Sequence, residues 1–80
     1  MRLPRDISAS ELIKILAKYD YVPTRQSGSH IRLTTKKIKE HHITIPNHNP
    51  IKIGTLNSIL ADIANHSGLS KSELMEELFK

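Results

Sequence analysis

The chain has 80 residues, a formal net charge of +4 and no cysteine. A chain of this length folds as one small unit, so we expect a single domain over residues 1–80 with a modest core. The absence of cysteine excludes disulfides and thiolate metal sites, and the sequence contains no run of about 18 apolar residues that would predict a membrane helix. The N-terminus lacks the apolar core of a signal peptide, so we expect a soluble, cytoplasmic protein.

The basic residues are concentrated in the front part of the chain. Residues 1–52 contain ten Lys and Arg against four Asp and Glu, whereas residues 53–80 contain two against four. A basic surface is typical of proteins that bind a polyanion such as nucleic acid, although a solvated basic surface would have the same composition. Only three aromatic residues are present, which disfavours a single-strand reader built on base stacking.

The first predicted helix begins at a capping box. Ser8 is the expected N-cap, and Glu11 completes the box three residues later. Ile7 and Leu12 flank the cap as a hydrophobic staple. Apolar residues then recur at helical spacing: Leu12, Ile13, Leu16 and Ala17.

Three short strands are predicted after this helix. Segment 21–26 contains Pro23, which has no N–H for a ladder, so this segment should be an edge or bulged strand. A turn at Ser27–Gly28 separates it from segment 29–35, and a polar connection leads to segment 41–45. The short links predict an antiparallel meander. Alternation in the second strand places Ile31 and Leu33 on one face, and His30, Arg32 and Thr34 on the other.

Two more helices are predicted towards the C-terminus. Thr55 is the expected cap of the second helix and Gly68 its end, while Ser70 and Glu73 form a capping box for a third helix at about 71–79. The order α-β-β-β-α-α predicts an α+β two-layer sandwich, with one sheet face under the first two helices and the other open. The second helix carries a continuous apolar stripe: Leu56, Ile59, Leu60, Ile63 and Ala64.

Histidines are the candidates for chemistry. No H-E-x-x-H or Cys/His metal spacing is present, and no acidic cluster suits Mg²⁺, so we expect neither a metal nor another cofactor. The segment Ser27–Ser29 is not a nucleophile elbow, and nothing in the sequence supplies a third group for a serine triad. The five histidines are His30, His41, His42, His48 and His66.

RNA cleavage is a reaction that needs no metal, because RNA supplies its own nucleophile in the 2′-OH. Such an enzyme needs an acid or base near neutrality and cations for the developing phosphorane charge. His30 is the best-placed acid or base because it follows a glycine turn and leads a strand beside basic residues. Arg25, Arg32 and the nearby Lys36 and Lys37 are the candidate RNA-binding cations. Residue type and position alone leave a surface or sheet-packing histidine as the alternative.

Five segments carry a family resemblance, in order along nearly the whole chain. They are S-x-x-E-L-I-K-x-L at 8–16, R-Q-x-G-S-H at 25–30, I-T-I-P-x-H at 43–48, G-T-L-x-S-I-L at 54–60 and G-L-S-x-x-E-L at 68–74. No single segment is specific, but the ordered set resembles the HicA toxin family, the small messenger-RNA interferases of HicB–HicA toxin–antitoxin pairs.

The resemblance implies a double-stranded-RNA-binding-domain-like fold, α-β-β-β-α, here followed by an extra short C-terminal helix. It implies that His30 is the catalytic histidine of a metal-independent endoribonuclease that cleaves mRNA. It implies a HicB-like antitoxin partner that covers this histidine, with oligomers formed through the antitoxin complex. Gly28 and Ser29 belong to the motif, for turn geometry and for positioning His30 or a phosphate. His48 matches a histidine commonly seen in the family, with either a functional or a loop-capping role.

The sequence departs from the family pattern at two places in the first half. Asp20-Tyr21 stands where Gly-Phe is usual, and Pro23 is unusual in its strand. Two other functions stay open at this point. One is an RNA-binding module without catalysis on the same basic surface. The other is a helix-turn-helix DNA reader built from the last two helices, which their acidic charge disfavours.

Overall fold

The computed structural model describes residues 6–79. These residues form a helix, three strands and two further helices, which confirms the predicted α+β class and the α-β-β-β-α order with an extra C-terminal helix. None of the helices in this part of the chain is long and apolar enough to cross a membrane. The elements are α1 (Ala9–Leu16, extended by a 3-10 turn at Ala17–Tyr19), β1 (Val22–Ser27), β2 (His30–Thr35), β3 (His41–Pro46), α2 (Ile53–Ser67) and α3 (Lys71–Leu78).

The predicted capping box at the start of α1 is confirmed. The Ser8 hydroxyl accepts from the Glu11 N–H at 3.2 Å, and the Glu11 carboxylate accepts from the Ser8 N–H at 2.9 Å. These bonds to Ser8 lower the pKa of Glu11. At the other end of the helix, Asp20 takes the left-handed conformation with φ 61°. Aspartate tolerates this conformation better than most residues, so it can replace the glycine that is usual there.

The sheet is antiparallel in the order β1-β2-β3, with β2 in the centre. Val22 pairs with Thr34 and Pro23 with Leu33, but Arg25, not Thr24, pairs with Arg32. The first strand therefore contains a bulge and lies at an edge, as Pro23 predicted.

The helices pack on one face of the sheet, and the opposite face is open. α1 contacts β1, and α2 contacts β3. The predicted alternation is confirmed, because Leu33 is buried on the covered face while His30 and Arg32 are exposed on the open face. The core contains the largest fully buried apolar side chains: Leu12, Leu16, Tyr21, Leu33, Ile45, Ile51, Leu56, Leu60, Ile63 and Leu74.

The predicted start of α2 is wrong. The helix begins at Ile53 with Lys52 as its N-cap, which makes no side-chain cap hydrogen bond, and Thr55 lies inside the first turn. The reason is tertiary: Ile51 is buried, and its N–H donates to the Ile7 carbonyl at 2.9 Å, so the chain enters the helix directly from this anchor. The predicted end is right, because Gly68 is the C-cap with φ 73°.

The third helix was predicted correctly at both its cap and its length. Ser70 and Glu73 form the second capping box, and bonding to Ser70 lowers the pKa of Glu73. Leu74, Met75 and Leu78 are its buried residues.

Candidate functional site

The turn between β1 and β2 sets the position of the candidate histidine. Ser27 and His30 are paired across the strands, so Gly28 and Ser29 form the whole turn. Gly28 has φ 58°, the left-handed conformation that a hairpin turn of this length requires and that a residue with a Cβ adopts at a cost. A Cβ at Gly28 would meet no atom within 4 Å, so the requirement for glycine is conformational and not steric.

His30 is the first residue of β2 and is exposed on the open face. Its partners across the sheet are Ser27 on one side and Pro46 on the other. The Ser29 carbonyl accepts from the Asn47 N–H at 2.6 Å, which ties the turn to the end of β3. The histidine therefore lies on a hairpin that is held at both strands, with its ring accessible to a large ligand.

Two arginines lie beside His30 on the same face. Arg32 is two residues along β2, a separation of about 7 Å, and the bulge in β1 places Arg25 directly opposite Arg32. Like charges directly opposite each other in a sheet are unfavourable. In residues 6–79 the ion pairs are His41–Asp62 and His42–Glu40, so neither arginine forms an ion pair there, although Glu40 lines the same groove. The positive charge of the two arginines makes this face suitable for binding an anion.

The two candidate lysines point to different surfaces. Lys36 lines an open groove on this face together with Arg25 and Arg32. Lys37 lies on another surface, with its Nζ 5.7 Å from the centre of the Tyr19 ring, and its carbonyl accepts from His66 Nε2 at 3.2 Å. The structure thus brings Arg25, Arg32 and Lys36 together and separates Lys37 from them.

His48 lies in the loop after β3, two residues beyond the partner of His30. Its carbonyl accepts from the Ala9 N–H at 3.1 Å, and its own N–H donates to the Pro46 carbonyl at 2.8 Å. The side chain is exposed. The contacts that join this loop to the start of α1 therefore come from the main chain of His48.

A second group of ionisable side chains lies close together and was not predicted from the sequence. The rings of His41 and His66 stack with their centres 4.3 Å apart, and His41 Nε2 donates to the Asp62 carboxylate at 3.3 Å. Tyr21 donates to His41 Nδ1 at 2.7 Å, and burial, followed by the charge of Asp62, raises the pKa of Tyr21 to about 12. These residues come from α2 and β3 and from the segment just before β1, and no spacing along the chain signals that they meet.

Tyr19 is held near this group by the last helix. It donates to the Glu77 carboxylate. Burial, followed by the hydrogen bond and charge of Glu77, raises the pKa of Tyr19 to about 12. Its hydroxyl therefore stays protonated near neutrality and acts as a donor there. Within residues 6–79, no three His, Asp or Glu side chains lie close enough together to hold a metal ion.

The fold and the site define a small α+β domain whose open sheet face carries an exposed histidine beside two arginines that form no ion pair within the described residues. Residues 9–64 match the family model described as the HicA toxin of bacterial toxin-antitoxin. The match covers more than half of the chain, so the chain belongs to the HicA toxin family. Membership makes it a toxin domain and implies an antitoxin partner. Comparisons with curated proteins and with solved structures gave no significant match.

Proposed function

We propose that this toxin is a metal-independent endoribonuclease that cleaves mRNA, with His30 as the acid or base. The observation that carries the proposal is the placement of His30, Arg25 and Arg32 together on the exposed sheet face. An exposed face suits a polymer substrate, because a chain of RNA can lie across the strands where a closed pocket would exclude it.

The reaction follows from the chemistry of RNA. The 2′-oxygen attacks the adjacent phosphorus, the bond to the 5′-oxygen breaks, and the products carry a 2′,3′-cyclic phosphate and a 5′-hydroxyl. His30 takes the 2′-OH proton or supplies one to the leaving oxygen, and water exchanges the other proton. Arg25 and Arg32 stabilise the charge that develops on the phosphorane oxygens. Gly28 and Ser29 hold the turn that positions His30.

Control of the activity is assigned to a HicB-like antitoxin. His30 and both arginines are exposed, so a partner that covers the open face would block substrate access without any change in the fold of the toxin. We propose that this complex forms in the cytoplasm and sets the oligomeric state. A non-catalytic RNA-binding module is the second candidate, and it is favoured by the groove of Arg25, Arg32 and Lys36, which needs no catalytic histidine.

Cleavage is expected to proceed fully in EDTA, because the proposed chemistry uses only a histidine, cations and the 2′-OH. The assay is gel analysis of an end-labelled mRNA fragment, with mapping of the product ends. A 2′-deoxy substitution at the cleaved position should block the reaction and leave binding intact. Loss of cleavage in EDTA would restore a metal mechanism, and tight binding without any fragments would favour the non-catalytic module.

Lys36→Ala and Lys37→Ala form a matched pair that tests which surface receives the RNA. Lys36→Ala is expected to weaken RNA binding several-fold and to reduce the slope of log K against log salt by about 0.7, the value for one lost phosphate contact on a single strand. Lys37→Ala is expected to leave both quantities close to those of the wild type. Fluorescence anisotropy at several salt concentrations measures them. Equal losses in the two variants would contradict the placement of the RNA in the groove.

A further inference from the structure

The lining of the basic groove includes one carboxylate. Arg25, Arg32 and Lys36 line the groove together with Glu40 and His42. His42 Nε2 donates to the Glu40 carboxylate at 2.9 Å, and the two side chains are 37% and 59% exposed. Exposed ion pairs of this kind contribute little to stability, so a ligand can displace the carboxylate at small cost.

The other side of the His42 ring is fixed by a chain of hydroxyl groups. His42 Nδ1 lies 2.8 Å from the Thr34 hydroxyl, which lies 2.8 Å from the Thr24 hydroxyl. Thr24 in turn donates to the Arg32 carbonyl at 3.4 Å. In the neutral ring, Nδ1 accepts a hydrogen bond from the Thr34 hydroxyl. In the protonated ring, Nδ1–H donates to Thr34, Thr34 donates to Thr24, and Thr24 donates to the Arg32 carbonyl.

The hydrogen bonds through Thr34 and Thr24 fix the orientation of the His42 ring. Both protonation states of His42 are satisfied, and in both of them Nε2–H points into the groove. Thr34 is only 9% exposed, so the support lies beneath the surface while Nε2 stays at it. His42 is thus a fixed donor for an anion, and the anion that occupies this position is the carboxylate of Glu40.

The position lies on the same face as His30 but is separated from it. His30 pairs with Pro46 and Thr34 pairs with His42, so the two histidines are four residue pairs apart, roughly 13 Å along the sheet. This distance is too long for both groups to act on one phosphorus atom. The distance suits contact between His42 and another phosphate of the RNA strand whose cleaved phosphate lies at His30.

We propose that Nε2 of His42, with Lys36 beside it in the groove, is a subsite for an RNA backbone phosphate remote from the cleaved one, and that Glu40 occupies this subsite until RNA displaces it. The inference rests on the proposed function, because it takes the open face to be the RNA-binding face. The Glu40 carboxylate then competes with the RNA phosphate for Nε2 of His42. It weakens RNA binding at a subsite where the other charged side chains strengthen it.

Glu40→Gln tests the proposal because glutamine keeps the size of the side chain and can still accept from Nε2, while the charge is removed. Binding of a short fluorescein-labelled single-stranded RNA is measured by anisotropy in the His30→Ala background, which keeps the RNA intact. Glu76→Gln on α3 is the matched control, since it makes the same change in net charge at an exposed site outside the groove. Glu40→Gln should tighten binding about fivefold, whereas Glu76→Gln should change it by less than about twofold.

The role of His42 is tested in the same background. His42→Asn added to Glu40→Gln should remove the gain in RNA affinity. With Glu40→Gln alone, the slope of log K against log salt should be steeper by about 0.7 than in the His30→Ala parent. Equal affinities for the Glu40 and Glu76 variants, with RNA binding intact, would overturn the subsite and leave the proposed function standing. An effect of Glu40→Gln on antitoxin inhibition alone would assign the groove to the protein partner and also overturn it. Failure of every variant to bind RNA would overturn both.

Discussion

His30→Ala is expected to abolish RNA cleavage and growth inhibition while the fold stays intact. General acid–base catalysis contributes about 100-fold to 10,000-fold to a rate, so the loss in cleavage rate should be at least about 100-fold. The side chain is exposed on the open face and lies outside the core, so the free energy of unfolding should change by less than about 0.5 kcal/mol. The measurements are cleavage of a labelled mRNA fragment, growth of cells that express the toxin, and thermal unfolding.

Two further variants make this result specific. His30→Gln keeps a polar side chain at the same place but cannot exchange a proton near neutrality, so it should be as inactive as the alanine variant. His48→Ala removes an exposed histidine from the neighbouring loop, where the structural contacts come from the main chain, and it should remain toxic. A His30→Ala protein that cleaves RNA at the normal rate would refute the assignment of His30.

Leu33→Ala is expected to cause the largest loss of stability. Leu33 lies in the central strand, paired with Pro23 and Ile43, and is fully buried. Removal of a buried leucine side chain costs about 2–5 kcal/mol, because it loses apolar contacts and leaves a cavity. A chain of this size has a free energy of unfolding of about 4–12 kcal/mol, so this loss is a large part of the total and the urea midpoint should fall clearly.

The matched control for this variant is Ile38→Ala. Ile38 is 72% exposed in the connection between β2 and β3 and has φ 70°, a conformation that a β-branched residue adopts at a cost. Its replacement should leave the free energy of unfolding unchanged or slightly higher. Urea denaturation monitored by circular dichroism compares the two variants. A loss of stability from Ile38→Ala as large as that from Leu33→Ala would contradict the division between core and connection.

Local signals predicted most of the fold. The capping box at Ser8, the apolar stripe of α2 and the alternation of β2 each depend on residues within one element, so periodicity and cap chemistry were enough to find them. Pro23 predicted an edge or bulged strand for the same reason, since the missing N–H is a property of the residue itself. The turn at Gly28 and the side of the sheet on which His30 and Arg32 lie followed from the same local rules.

Features that depend on contacts between elements were not predictable. The start of α2 is set by the hydrogen bond between Ile51 and Ile7, which the local cap candidate Thr55 could not reveal. Lys36 and Lys37 looked equivalent as neighbours, but Lys37 is drawn to the ring of Tyr19. Arg25 could be placed on the face of His30 only once the position of the bulge was known, because a shift of one residue reverses the face of every side chain beyond it.

The bulge in β1 also has a consequence for chain length. Thr24 is a surplus residue, since the segment between Val22 and Ser27 is one residue longer than the part of β2 that it opposes. Deletion of Thr24 would leave a regular hairpin in which Arg25 still faces Arg32, although the hydrogen bond between the Thr24 and Thr34 hydroxyls would be lost. Deletion of Gln26 would bring Arg25 opposite Ile31 and turn its charge towards the covered face. The pairing of Arg25 with Arg32 therefore survives deletion of Thr24 but not deletion of Gln26, although neither deletion changes the position of His30.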